Sequence, residues 1–167
     1  GPMTIRAYRG EMLSVAQDPR NGGEVRHEVD GLLVVTCDGQ DVDYVVALDT
    51  RNGKIAWKTD RTLELPRKFS FSTPLVIEVK GRKQIVCPGT GLVAAYEPKT
   101  GKEIWRVLYG DGYSVIPRPV FGHGLVYVCS GWGVPTLFAI RPTGTGDVTD
   151  THVAWKQTSK ANVPHTP

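Results

Sequence analysis

Three of the four tryptophans constrain this chain most. Trp57, Trp105 and Trp155 stand 48 and 50 residues apart, and each closes a similar segment. The first runs from Val45, Val46, Ala47, Leu48 and Asp49 to Gly53, Lys54, Ile55, Ala56 and Trp57. The second runs from Val93, Ala94, Ala95, Tyr96 and Glu97 to Gly101, Lys102, Glu103, Ile104 and Trp105. The third runs from Leu137, Phe138, Ala139, Ile140 and Arg141 to Val153, Ala154 and Trp155. Alanine and tryptophan are ten residues apart in the first two copies and sixteen in the third, so six residues are inserted around Gly144 to Asp147. A unit repeated at 40–50 residues signals an architecture in which each unit buries its faces against its neighbours.

Within each unit the pattern is that of strands and tight turns. Apolar runs of four to six residues end at Asp38-Gly39, Pro88-Gly89 and Ser130-Gly131. Asn52-Gly53 and Thr100-Gly101 sit between an alanine-bearing and a tryptophan-bearing run, where glycine supplies the positive φ of a hairpin. Thr73 to Ile77 and Arg118 to Phe121 offer a further strand to the second and third units, with proline only at the strand start. Nineteen glycines and twelve prolines oppose long helices, and no stretch supports an amphipathic helix of more than two turns.

The expected class is therefore all-β: about three four-stranded antiparallel β-propeller blades. The expected boundaries are a lead-in at 3–23, blades at 24–62, 63–111 and 112–158, and the start of an incomplete fourth blade at 159–167. Thr143 to Asp150 reads as loop. Cys37, Cys87 and Cys129 precede the repeat alanines by ten, eight and ten residues and read as one structural position, small and buried in a strand. Three separated cysteines do not make a disulfide framework.

The segments Ala47–Trp57 and Ala95–Trp105 resemble the tryptophan-docking repeat of pyrroloquinoline-quinone (PQQ) type β-propellers, Ala-x-Asp-x-x-Thr-Gly-x-x-x-Trp. That family includes quinoprotein alcohol dehydrogenases, the outer-membrane protein assembly lipoprotein and many PQQ-like repeat proteins of unassigned role. The resemblance spans residues 24–158; it departs at Glu97, in the aspartate position, and at Arg141, where the insertion also displaces the Thr-Gly turn. It implies docking roles for Ala47, Gly53, Trp57, Ala95, Gly101, Trp105, Ala139 and Trp155. A tryptophan on an outer strand lies against the next blade with its N–H as a donor, the glycine aims the turn, and the alanine lets backbones approach. Such a motif concerns stability and carries no catalysis.

Propellers close with four to eight blades, and three are recognisable here. The bare terminal faces are expected to be covered by a second copy, first blade to last, giving a homodimer of six blades, or eight if the tails combine into a fourth. Otherwise the chain is a fragment of a longer protein.

Twenty Lys and Arg against 17 acids give a net charge of +3, far from a dedicated nucleic-acid binder. No apolar run approaches a membrane span. Gly1-Pro2 before Met3 reads as the remnant of a protease cleavage, and no signal peptide is visible. A cytoplasmic location follows if Met3 is the native start, although relatives in the family are often periplasmic or exported.

The chemistry-bearing motifs are weak. Gly89-x-Gly91-x-x-Ala94 lacks the helix a dinucleotide fingerprint requires and reads as a blade turn. Asp38, Asp41 and Asp43 cluster without the spacing of a calcium loop and read as a solvated turn. His27, His123, His152 and His165 are scattered, and His152 reads as an exposed strand neighbour of Val153. No nucleophile and base are paired. Arg67 to Phe71 and Lys80 to Lys83 read as solvated strand ends. Tyr113 to Pro119 enters an innermost strand, where loops line a propeller mouth, so Arg67, Tyr113 and Arg118 are the candidate ligand contacts.

These readings point to a non-enzymatic repeat module that assembles with itself and binds a protein or peptide, with no cofactor. The resemblance supplies the rival, part of a PQQ-dependent dehydrogenase. That chemistry implies a stacked quinone, calcium, a carboxylate base and, in several members, a disulfide between adjacent cysteines; no adjacent pair occurs here. A third reading is a blade fragment whose only property is assembly.

Overall fold

The computed structural model describes residues 28–110 and 112–158; the expected lead-in at 3–23 and the partial blade at 159–167 lie outside them. Thirteen strands and one short helix form three sheets among the described residues. The first is β1 (Glu28–Val29), β2 (Leu32–Asp38), β3 (Asp43–Asp49) and β4 (Ile55–Asp60), each antiparallel to the next. The second is β5 (Leu75–Val79), β6 (Arg82–Gly89), β7 (Leu92–Tyr96) and β8 (Glu103–Leu108). The third is β9 (Val120–Gly122), β10 (Leu125–Cys129), β11 (Thr136–Ile140) and β13 (Val153–Thr158). These antiparallel meanders are the sheets of a β-propeller.

The repeat is visible in the register. Ala47 pairs with Trp57, Ala95 with Trp105 and Ala139 with Trp155, and in all three sheets the ladder shifts just after the alanine. That bulge twists the outer strand and re-aims its side chains. Across the neighbouring strand the same alanines face Val34, Val86 and Tyr127.

Alternation along the strands sends successive residues to opposite faces, so a sheet between two others must be apolar on both. The middle sheet obeys: every residue of β7 is buried. Ile85, Cys87, Leu92, Ala94 and Tyr96 join Val34, Val45, Ala47 and Trp57 in one core. Val86, Val93, Ala95, Trp105 and Val107 join Val126, Val128, Phe138 and Ile140 in the next. On the outward face of the first sheet Val35, Cys37 and Val46 are buried, with Leu33, Tyr44 and Leu48 packed on them.

Three expectations change. The cysteines are all free and buried in strands, but they do not share one position: Cys37 pairs with Tyr44, Cys87 with Ala94 and Cys129 with Leu137. Counting along the chain ignored the β2–β3, β6–β7 and β10–β11 connections, whose lengths differ. The insertion at 143–150 is not plain loop. It forms β12 (Gly146–Asp147), parallel to β8 of the preceding sheet with Gly146 opposite Trp105, and leads into helix α1 (Thr149–His152). His152 therefore ends a helix instead of opening a strand, and it is half-buried.

Candidate functional site

The repeat residues meet where one sheet leans on the next. Trp57, on β4, is 8% exposed and donates its indole N–H to the carbonyl of Pro98 at 2.8 Å. Its ring lies on Gly101, where any Cβ would overlap ring atoms Cε3 and Cδ2. Two residues on, Thr59 donates its hydroxyl to the Gly101 carbonyl at 2.7 Å. The turn that receives them is closed by Gly101 N–H to the Glu97 carbonyl at 2.9 Å, with φ of +69° at Gly101.

The second joint is built differently. Trp105 is fully buried, and its N–H goes to Gln84 Oε1 at 2.8 Å; Gln84 Nε2 then donates to the carbonyl of Pro142 at 3.2 Å. Pro142 stands three residues after Ala139, as Pro98 stands three after Ala95. The insertion replaces the short hairpin turn after Pro142, and a glutamine side chain bridges the indole to the same carbonyl. The inserted segment adds its own contacts: Val148 N–H to the Arg106 carbonyl and Leu108 N–H to Thr149 Oγ1, both 2.9 Å, with Val148 buried.

Trp155, the third in the series, is 45% exposed and its ring lies 5.9 Å from that of Tyr127. At the opposite end, Gly53 has the same turn geometry as Gly101, with φ of +70° and a bond to the Asp49 carbonyl of 2.8 Å, yet nothing lies within 4 Å of its would-be Cβ.

Between the first two sheets lies a polar cluster that the sequence reading placed in solvent. Asp38 and Arg61 are 1% and 2% exposed and paired at 2.8 Å. Arg61 also donates to the Cys87 carbonyl at 3.2 Å and to the Tyr96 hydroxyl at 3.3 Å, and the second Asp38 oxygen accepts the Thr90 N–H at 3.0 Å. Gly89 is what admits the guanidinium, since a Cβ there would collide with Arg61 Nη1. Asp43, opposite Asp38 in the ladder, has a buried oxygen without a partner. Burial first, and then the charge of Asp38, raise its pKa to about 7. Burial pushes the Cys87 thiol up to about 12, which makes it unreactive. The signal for this cluster, aspartate at a hairpin mouth and arginine just past β4, gives no hint of their approach.

The candidate ligand contacts lie on the two connections between sheets, 61–74 and 109–119. These run side by side, with Ser70 bridged in parallel to Val115, Phe71 N–H on the Val115 carbonyl and Ser114 N–H on the Phe69 carbonyl, both 2.8 Å. The structure brings Arg67 and Tyr113 together: Arg67 Nη1 donates to the Tyr113 hydroxyl at 2.8 Å, and its guanidinium sits 5.2 Å from the ring centroid. Phe69 packs edge-on to Tyr113 at 5.3 Å. Arg118 is exposed, and no hydrogen bond joins it to that pair among the described residues. Trp132, which the sequence reading passed over, is bridged to Tyr113 and 64% exposed. Together they make a basic and aromatic surface on two hydrogen-bonded connections.

Among solved structures, the chain is similar to the quinohemoprotein alcohol dehydrogenase of Comamonas testosteroni, at 21% identity and a TM-score of 0.54, covering 84% of this chain and 21% of that one. It is similar to the quinohemoprotein alcohol dehydrogenase ADHIIG of Pseudomonas putida HK5, at 24% identity and 0.54, covering 83% and 21%. It is also similar to a europium-containing methanol dehydrogenase, at 17% identity and 0.57, covering 80% and 24%. The chain thus spans about a fifth to a quarter of these proteins, and the likeness is one of fold. A search of curated proteins gave no match. Residues 9–167 match the family described as outer membrane protein assembly factor BamB, and with the alanine–tryptophan pair in the register of each sheet, the chain belongs to this family of PQQ-like β-propellers.

Proposed function

We propose that the chain is a non-enzymatic arc of a PQQ-like propeller that closes its ring with a second copy and serves as a protein-binding scaffold. One observation carries this reading: the first two repeat tryptophans are buried between sheets, and the last is 45% exposed. Conserving buried apolar faces while leaving one exposed creates a surface for association.

Catalysis by the PQQ route finds little support in the residues. Among the described residues no three His, Cys, Asp or Glu side chains stand together for a metal ion. The paired carboxylates Asp38 and Asp43 already have a cation, Arg61, at 2.8 Å from Asp38. The three cysteines are on three different sheets. The donor set does not fit calcium, and the proposed role needs no cofactor.

The test is the mass in solution by light scattering across a concentration series. A dimer is expected, and titration with PQQ and calcium in a dye-linked assay should give no turnover. The share of its structural neighbours that the chain spans favours a second reading, in which further blades of a longer ring supply the missing faces. The isolated chain would then remain a monomer.

A further inference from the structure

The joint between Trp57 and the Pro98–Gly101 turn shows what a repeat tryptophan takes: a carbonyl three residues after the repeat alanine, and a bare glycine at positive φ on which the indole lies. Among the described residues one further repeat tryptophan and one further such turn stand outside any joint of this kind. Trp155 is the exposed member of the series. Gly53 is the open member of the turns, and the carbonyl in the position of Pro98 is that of Thr50.

We propose that Trp155 of one copy docks on the Thr50–Gly53 turn of a second copy, its N–H donating to the Thr50 carbonyl and its ring covering Gly53. The inference rests on the ring-forming role above and assigns the residues that would close it. Three features of the two surfaces fit. Gln157 stands two residues after Trp155, as Thr59 stands after Trp57, and carries a donor for the Gly53 carbonyl as Thr59 does for that of Gly101. Ile55, just past the turn, is 65% exposed, as an apolar rim awaiting cover would be. The turn itself is already rigid: Thr50 binds the Gly31 carbonyl through both its N–H and its hydroxyl at 3.0 Å, and Lys54 N–H caps Asn52 Oδ1 at 2.8 Å. A preformed receiver adds little ordering cost on association. The inner part of the same face, around Val35 and Cys37, is already buried, so the contact is made at the outer corner, with Leu33, Tyr44 and Leu48 beside it. Because tryptophan and turn lie at opposite ends of the chain, the contact is head-to-tail, and two such contacts related by a two-fold axis close a ring.

The experiment is sedimentation equilibrium on the full chain and two variants. Trp155→Ala removes the docking ring from an exposed position. Gly53→Asn keeps a residue that tolerates positive φ but puts a Cβ where the indole would lie. Each alone should weaken dimerisation at least tenfold, with circular dichroism unchanged, while Trp132→Ala, at a more exposed tryptophan outside the joint, should not. Mixing the two variants restores one intact joint, Trp155 of the Gly53→Asn chain on Gly53 of the Trp155→Ala chain, and should recover a heterodimer. A wild-type monomer overturns both the ring of two copies and this joint, and favours the reading in which further blades of a longer ring cover these faces. A wild-type dimer that survives both substitutions, or variants whose mixture fails to associate, overturns this joint and leaves the ring standing.

Discussion

Trp105 and Gln84 form a 2.8 Å hydrogen bond, indole N–H to amide oxygen, and the far side of the same amide holds the Pro142 carbonyl. One joint in this protein is thus closed directly, from Trp57 to Pro98, and the next through an intermediary. Both satisfy a buried N–H and a buried carbonyl, because leaving either unmet costs about 1–3 kcal/mol.

Gln84→Leu keeps the volume but orphans both groups that Gln84 serves. The expected loss is about 2–4 kcal/mol, read as a lower urea midpoint at unchanged slope. Trp57→Phe breaks one bond and leaves most of the ring contact, so it should cost less.

Arg61→Met leaves Asp38 charged, buried and paired only with the Thr90 N–H. About 3–5 kcal/mol of stability should be lost, because the surviving carboxylate has no counter-charge. Gly89→Ala should be strongly destabilising in the wild type and less so in the Arg61→Met background, since Arg61 Nη1, the atom nearest that Cβ, is then gone and Asp38 Oδ2, at 2.9 Å, is left as the contact. A double-mutant cycle on urea unfolding measures that coupling. Additive effects would show that the guanidinium is not what requires Gly89.

How much of this was legible in the sequence depends on how local the signal is. The strands, the glycine turns and the alanine–tryptophan register are written in short segments, and the ladder pairs them as spaced: Ala47 with Trp57, Ala95 with Trp105, Ala139 with Trp155. Asp38, at the end of β2, and Arg61, just past β4, are 23 residues apart, and neither residue type announces burial, so a polar hairpin mouth read as solvated. The insertion was countable, but pairing β12 with the sheet before its own depends on three-dimensional proximity that no period encodes. Of the mouth residues, Arg67 and Tyr113 meet because two connections run parallel; Arg118, on the same connection as Tyr113, does not join them.

Asp43 gives the protein a dependence on pH near neutrality. Its carboxyl is raised from 3.8 to about 7 by burial and by Asp38, with Arg61 and Lys68 pulling the other way. Between those values the folded chain holds a proton that the unfolded chain has released, so stability falls as pH rises from about 4 to about 7 and levels off above. Asp43→Asn mimics the protonated form. It should match the wild type at pH 4, exceed it at pH 8, and remove this part of the slope when urea midpoints are followed across pH. Equal slopes in both proteins would place the titration elsewhere.

The last prediction concerns the inserted segment. Thr149 receives the Leu108 N–H on its hydroxyl, and Val148, buried in the core between the second and third sheets, hands its own N–H to Arg106. The outer strand β8 is therefore protected by a segment that belongs, in sequence, to the following repeat. Thr149→Val removes the acceptor while keeping the shape, and the Leu108 amide should exchange with deuterium at least tenfold faster, with the amides of β7 unchanged. Val148→Ala removes two buried carbons and should cost about 1.5–3 kcal/mol, the sum of lost transfer energy and a partly collapsed cavity. If the segment were a passive loop, neither change would reach β8. Faster exchange at Leu108 together with a lower urea midpoint for Val148→Ala would identify the insertion as the clasp that holds the second and third sheets together where the direct tryptophan-to-carbonyl bond is missing.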